Sequence, residues 1–226
     1  MMGDILLLGA GRGGYSEGGG GGGGGGASGE VTYTVSASAD DGSFGTPNNQ
    51  TTSFPATFSI LSSNTTFTAS QREQDDDGFA FEYQKAFYRF QNINVAQGQT
   101  IQSAFLKIVM HSGTSSSAFF RIVGTDLDNV SAPSAASPDG DTSRHTSAIV
   151  SWSGAGLASF TYQTSPDIKT IIQEIVDRPG WSAGNAIMIQ TYFDTQGSFG
   201  FAKKLRQVRS FDFSSAAYAA KLVITT

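Results

Sequence analysis

The chain has 226 residues, with 14 basic and 19 acidic side chains, a net charge of −5 and no cysteine. The absence of cysteine excludes a disulfide framework and a thiolate metal site. The charge balance lacks the basic footprint that nucleic-acid binding leaves. With 17 Phe and 7 Tyr, the chain has enough large apolar side chains for a core, and its length suits one all-β domain.

The first 30 residues form a segment distinct from the rest. Nine consecutive glycines run from Gly18 to Gly26, and glycine loses more backbone entropy on ordering than any other residue, so a flexible tether is predicted. We therefore divide the chain into an arm, residues 1–30, and a body, residues 31–226. The arm is expected to anchor the chain to a partner through four apolar residues and one cation: Ile5, Leu6, Leu7, Leu8 and Arg12.

Residues 9–14 of the arm satisfy the dinucleotide fingerprint G-x-G-x-x-G. That fingerprint needs a helix directly after it and a βαβ unit around it, whereas here the chain continues into more glycine. A flexible anchor is the preferred interpretation. The apolar run before it is too short for a secretion signal or a membrane helix, so we expect a chain made in a cytoplasm and released, if at all, by lysis.

The body is predicted to be a series of short strands, because apolar residues alternate between clusters of Gly, Asn, Asp and Ser. Residues 54–60 and Phe67 are weaker strand candidates, and residues 70–78 are predicted to be a charged turn. An antiparallel β-sandwich of jelly-roll type is the expected fold. The stronger strands are predicted at residues 31–35, 86–93, 101–110, 119–123, 147–152, 186–193 and 220–225.

One amphipathic helix is predicted inside this β-rich body. Ser165 is expected at the N-cap and Pro166 at the first helical position, followed by Asp167 in the first turn. Arg178-Pro179-Gly180 is expected to end the helix. Branched apolar residues recur at i, i+3, i+4, i+7 and i+8, so one face should seal the core: Ile168, Ile171, Ile172, Ile175 and Val176.

Two regions of the body carry a resemblance to a family. The segment from Tyr88 through Gln97-Gly98 to Ile101 and Leu106 resembles a strand followed by "hydrophobic-x-x-G-x-x-I-x-S-A-x-L". The helix segment with Trp181 and Asn185, and the closing residues 209–222, look like later parts of the same pattern. The body from about residue 79 onward is thus similar to DNRLRE-type carbohydrate-binding-like jelly-roll domains of bacterial surface proteins, which implies adhesion or glycan binding.

The arm resembles the openings of tailed-bacteriophage structural proteins, through "LLLGAG" and the glycine run that follows. Together with a jelly roll, this resemblance implies a non-catalytic protein of the virion surface, either a capsid decoration (cement) protein or a fibre subunit. It further implies other virion proteins as partners, a homotrimer, and a host-surface glycan as a possible ligand. The alternative is a carbohydrate-binding adhesion module whose arm is an inter-domain linker.

Catalytic and metal motifs are weak. The chain has no G-x-S-x-G elbow and no H-E-x-x-H pair, and a glycosidase pair of Glu82 and Glu174 is disfavoured because Glu174 falls opposite the apolar helix face. No enzyme activity and no cofactor are expected. Structural calcium, which the family resemblance allows, would need oxygen ligands from one of two groups of acids: Asp75, Asp76 and Asp77, or Asp126, Asp128, Asp139 and Asp141.

The aromatic residues divide into predicted core and predicted surface. Trp152 ends a strand and Trp181 follows the helix stop, so both are expected to pack in the core. Tyr192, Phe199 and Phe201 lie near Gly197 and Gly200 and are the predicted contact surface.

Overall fold

The computed structural model describes residues 29–45, 59–61, 66–74, 81–113, 119–134, 144–153, 157–193, 204–214 and 216–226. Within these ranges the chain has twelve strands, one 3-10 turn at Ser38–Asp40 and one α-helix, α1, at Lys169–Val176. The strands, in chain order, are β1 Glu30–Thr34, β2 Asp41–Gly45, β3 Ser59–Leu61, β4 Thr66–Gln74, β5 Phe81–Phe90, β6 Ser103–Gly113, β7 Phe119–Gly124, β8 Val150–Ser153, β9 Tyr162–Thr164, β10 Ile187–Phe193, β11 Lys204–Arg209 and β12 Lys221–Thr225.

These strands form two antiparallel sheets, and the fold is an all-β sandwich with one short helix, as predicted. The first sheet has the order β1-β12-β6-β9. The second continues from β6 through β11, β4, β5, β10 and β7 to β8, with β2 also paired to β5 and β3 paired to β2. Strand β6 belongs to both sheets, because residues 103–107 pair with β12 and residues 110–113 pair with β11.

Strands β5 and β10 of the second sheet have buried apolar side chains on both faces. Tyr88 and Phe90 of β5, with Ile187 of β10, belong to the main core between the sheets. Phe87 and Met188 point the opposite way and join a smaller apolar cluster. Because successive residues of a strand point to opposite faces, strands covered on both faces need apolar residues at consecutive positions.

The helix prediction is confirmed in its packing and corrected at its start. All five apolar residues of the predicted face are fully buried: Ile168, Ile171, Ile172, Ile175 and Val176. The helix begins at Lys169, with Ile168 and not Ser165 at the N-cap. Ser165 instead accepts a hydrogen bond from the Leu106 amide at 3.0 Å. Asp167 Oδ1 accepts from the Lys169 amide at 2.9 Å, which satisfies one free N–H of the first turn.

Several strand predictions need correction. Residues 70–74, predicted to be part of a charged turn, lie in β4, because their backbone pairs with β11 on one side and β5 on the other. The weak candidate at residues 54–60 is described only where it overlaps β3. Strands β2 and β9 were not predicted, and β11 was anticipated only in its last residue, through the family resemblance. Both tryptophans are buried as predicted, and Trp181 Nε1 donates to Val95 O at 2.9 Å.

Candidate functional site

The predicted contact residues are only partly within the described ranges. Ile5, Leu6, Leu7, Leu8, Arg12, Phe199 and Phe201 all lie outside them. Tyr192 lies in β10 and is half-buried, and its ring stacks on His145 with centroids 5.6 Å apart. Lys85 Nζ lies 5.4 Å from the centre of the same ring. Neighbouring side chains therefore already contact the Tyr192 ring.

A different group of residues, four aromatic side chains around one arginine, lies at the surface, and we call it the aromatic patch. It consists of His111, Phe160, Arg209, Phe213 and Tyr218. His111 comes from β6, Phe160 from the turn before β9, and Arg209 is the last residue of β11. Phe213 and Tyr218 come from the connection between β11 and β12. Three separate parts of the chain therefore build the patch.

Arg209 is the centre of the aromatic patch. Its guanidinium carbon lies 3.9 Å from the ring centre of Phe213, 4.3 Å from that of Tyr218 and 4.7 Å from that of Phe160. The residue is only 8% exposed. Cation–π attraction strengthens when the cation is removed from water, so the three rings stabilise a largely desolvated charge, and the charge in turn fixes the three rings.

Contacts between the rings complete the patch. His111 meets Phe160 edge-on, with centroids 5.9 Å apart, and lies 6.2 Å from Phe213. Phe213 also meets Tyr218 edge-on, at 5.5 Å. These separations fall in the range in which aromatic pairs attract one another. The patch is therefore a packed surface whose members hold each other in position.

Phe160 is the exposed member of the patch. Its side chain is 57% exposed, and Ile149, at 47%, is the other large apolar residue exposed in the described ranges. The backbone of Phe160 has φ +64° and is held by a hydrogen bond from its amide to Met110 O at 2.7 Å. A bulky residue in the left-handed region is unfavourable. The fold thus maintains an exposed ring on a strained backbone.

Strain also occurs in the connection that supplies the other two rings. Ser214 has φ +50° and Ala216 has φ +68°. Together with Phe160, they are three of the four non-glycine residues with positive φ in the described chain; the fourth is Asn92. Strained backbone of this kind clusters at functional sites, and here it coincides with the aromatic patch.

Three polar atoms at and beside the patch are buried without a hydrogen-bond partner among the described residues. They are Nε of Arg209, Nδ1 of His111 and Oδ2 of Asp212. Buried polar atoms nearly always have a partner, so each such atom is a candidate contact for a buried water molecule. The exposed ring of Phe160 suits a ligand that presents an apolar face.

An acidic cluster lies under the connection between β11 and β12. Asp40 is compensated by Arg89, whose Nη1 lies 2.5 Å from Oδ1, and by the Gln91 amide at 2.7 Å. Asp41 is fully buried, and its Oδ2 accepts from the Phe211 amide at 2.8 Å. Burial raises the pKa of Asp41 to about 7; the Phe211 hydrogen bond lowers this pKa in part, and repulsion from Asp212 and Asp40 adds to the increase.

The two described acids of the predicted calcium ligand set do not fit a metal site. Asp126 and Asp128 both form ion pairs with Arg178, the latter through Nε at 2.6 Å. Their carboxylates already have a cation partner, and no group of three metal-ligating side chains is found in the described ranges. The other five acids, at positions 75–77, 139 and 141, lie outside these ranges.

Glu174 stabilises a loop. Its carboxylate accepts hydrogen bonds from the amides of Ser147 at 2.7 Å and Ala148 at 2.8 Å. It therefore fixes the segment before β8 to helix α1. The side chain of Glu82, the other acid considered for a glycosidase pair, is outside the described set.

No protein-family model and no curated protein matches the chain. Within the described residues, no helix combines the length and apolar character needed to cross a membrane.

The sequence did not reveal the patch, because its members are separated by up to 107 positions, from His111 to Tyr218. The segment Arg209-Ser210-Phe211-Asp212 was noted only as part of a family resemblance. A signal was nevertheless present, since three aromatic residues, Phe211, Phe213 and Tyr218, follow Arg209 in a stretch that otherwise contains only Ser, Ala and one Asp.

Proposed function

We propose that the chain is a non-catalytic binding protein of a bacteriophage particle, with the aromatic patch as the contact surface of its sandwich. The observation that carries this proposal is the exposed ring of Phe160, held on a strained backbone against the buried cation of Arg209. The ring of Phe160 helps to stabilise the charge of Arg209, yet more than half of it stays in water on a strained backbone, and contact surfaces are enriched in aromatic residues and arginine.

In this proposal the arm attaches the chain to other virion proteins and the sandwich faces outward, as a capsid decoration or fibre protein, in three copies. The same proposal holds that the sandwich has jelly-roll topology and that the glycine run is a flexible tether. The arm is tested by replacing Leu6 and Leu8 with Asp in the full chain. We expect the variant to be lost from purified virions while the free protein keeps its β-type circular dichroism. Normal occupancy in the virion would show that attachment does not use the arm.

The second candidate function is a carbohydrate-binding adhesion module of a bacterial surface protein. The aromatic patch favours a sugar ligand for this module, as it does for a virion protein that binds a host-surface glycan. An exposed aromatic face can stack on the apolar face of a sugar ring. The two candidates differ in where the protein is found: mass spectrometry of purified virions detects the chain in the first case and not in the second.

The ligand class is tested by a panel of immobilised saccharides containing neutral hexoses, N-acetylhexosamines and uronic acids. We expect the full chain to bind one of these classes. Binding to none of them would contradict a sugar ligand and would indicate a protein partner for the patch.

A further inference from the structure

Two rings of the aromatic patch are carried by the connection between β11 and β12, and the attachment of that connection depends on two acidic residues. We call residues 210–220, between β11 and β12, the patch loop. Near its start, the Phe211 amide donates to Asp41 Oδ2 at 2.8 Å, and Ser38 Oγ donates to Asp212 Oδ1. At its far end, the Tyr162 hydroxyl donates to Ala219 O at 2.9 Å. The start of the loop therefore relies on carboxylates, and its end does not.

Asp41, which is buried, and Asp212, which is half-buried, are poorly compensated acids. Oδ1 of Asp41 and Oδ2 of Asp212 are both buried without a hydrogen-bond partner in the described chain. The two carboxylates repel each other when both are ionised. Asp40, by contrast, has a cation and an amide donor of its own, from Arg89 and Gln91.

The charged and titratable groups described around Asp41 are few. Strand β5, which pairs with β2, supplies Lys85, Tyr88 and Arg89, the 3-10 turn supplies Asp40, and β11 with the patch loop supplies Arg209 and Asp212. Burial raises the pKa of Tyr88, so that group stays neutral at physiological pH. Arg89 is paired with Asp40, and Arg209 lies among the rings of the patch. None of these groups forms a salt bridge with Asp41 in the described ranges.

We propose that Asp41 is a proton-controlled switch, which holds the patch loop on β2 when it is protonated and releases the loop when it is ionised. A proton on Asp41 removes both the buried charge and its repulsion of Asp212. Loss of that proton leaves two unneutralised carboxylates together, and moving the loop into water relieves them. Release also relieves the strained backbone at Ser214 and Ala216.

The consequence for binding rests on the proposed function, because Phe213 and Tyr218 are carried by the patch loop. The patch should be assembled below neutral pH and loosened above it. The sign follows from linkage: burial raises the pKa of folded Asp41 to about 7, so the closed loop binds the proton more tightly than the open one and is favoured at low pH. The switch itself does not depend on any ligand and is tested on the free protein.

The test is amide hydrogen exchange of the full chain, measured by NMR at pH 5 and pH 8 and corrected for intrinsic exchange rates. If opening returns Asp41 to its ordinary pKa, protection of the Phe211 and Phe213 amides should fall roughly a hundredfold over this interval. The carboxyl carbon of Asp41 should titrate near neutral pH in the same samples. Protection that does not change with pH, or an Asp41 carboxyl that titrates near pH 4, would overturn the proposal.

Two variants separate the switch from a general effect of pH. In Asp41→Asn, the protection of Phe213 should lose its pH dependence, whereas Asp177→Asn, which changes an exposed acid at the C-cap of α1, should behave like the wild type. In Asp212→Asn, the Asp41 titration should move to lower pH, because the repulsion is removed. An unchanged midpoint in Asp212→Asn would contradict the switch even if Asp41→Asn failed to fold. If the protection of the loop depends on pH but the chain binds no saccharide, the proposed switch is supported and the proposed saccharide ligand is rejected.

Discussion

Replacing Gly124 with alanine tests how helix α1 rests on the second sheet. A Cβ at this residue, the last of β7, would lie 2.6 Å from Cδ1 of Ile175 and 2.9 Å from Cγ2 of Ile171. Carbon atoms in favourable contact are about 3.5–4.0 Å apart. Both isoleucines are fully buried, so neither side chain has solvent to move into. The helix or the strand must therefore shift by about 1 Å to admit the new methyl group.

The expected cost follows from two opposing effects. Overpacking a core costs about 1–3 kcal/mol, and the lower entropy of alanine in the unfolded chain offsets about 0.4–1 kcal/mol of that. We expect Gly124→Ala to lower the free energy of unfolding by about 1–2 kcal/mol. For a chain of this size that corresponds to a fall in Tm of roughly 2–8 °C, measured by calorimetry, with an unchanged urea m-value.

A second substitution shows whether the clash is the cause. Ile175→Val removes the Cδ1 atom nearest to the new methyl group, and alone it should cost about 0.5–1.5 kcal/mol. In the Gly124→Ala background that cost should shrink, with a coupling free energy of at least about 0.5 kcal/mol between the two sites. Strict additivity of the two substitutions would refute the packing described between β7 and α1.

The remaining predictions concern the core and the buried acid. Ile172→Ala should lower the free energy of unfolding by about 2–5 kcal/mol, and an unchanged Tm would mean that the helix is peripheral. Trp181→Phe should cost about 1–3 kcal/mol, because it leaves Val95 O buried without its donor; a loss below 0.5 kcal/mol in urea unfolding would contradict that hydrogen bond. Because Asp41 has a pKa of about 7 in the folded chain and about 3.9 when unfolded, its contribution to stability is fully present below about pH 4 and is lost as the pH rises to about 7. The stability of the wild type relative to Asp41→Asn should therefore fall by up to about 4 kcal/mol over this window, and a difference that stays constant in urea titrations would contradict the raised pKa.

The helix face was predictable because its signal is local. Five apolar residues spaced over nine positions satisfy the helical period without reference to the rest of the chain. The exact start was not predictable, since Ser165 has the right chemistry for an N-cap but its side chain binds the Leu106 amide, 59 positions earlier in the chain. The local sequence pattern therefore predicts the helix, whereas a hydrogen bond to a distant strand, β6, determines the residue at which the helix begins.

The sheet pairings were harder to predict for the same reason. Residues 70–74 are polar and charged, yet they extend β4 because β11 and β5 supply backbone partners on both sides. Composition alone favours a turn for such a segment. Backbone hydrogen bonds to β5, the next strand along the chain, and to the sequence-distant β11 outweigh that preference, and the pairing with β11 lies outside any local window of the sequence.

The candidate site was the least predictable part of the molecule. Tyr192 was selected from its glycine-rich surroundings, and in the fold its ring is stacked on His145. Phe160 carries no distinguishing local pattern, because a lone phenylalanine after Ala158-Ser159 is equally compatible with core and surface. Its importance depends on the φ of its backbone and on Arg209, which comes from a different strand.

The most direct test of the account is the saccharide affinity of Phe160→Ala compared with that of Ile149→Ala. Both substitutions truncate an exposed large apolar residue, at 57% and 47% exposure, so their effects on solubility are matched. The titration uses the saccharide class selected by the immobilised panel, at pH 6. The account predicts that Phe160→Ala weakens binding at least tenfold, a loss of about 1.4 kcal/mol, while Ile149→Ala binds as the wild type does. Equal affinities for the two variants would show that the aromatic patch is not the contact surface.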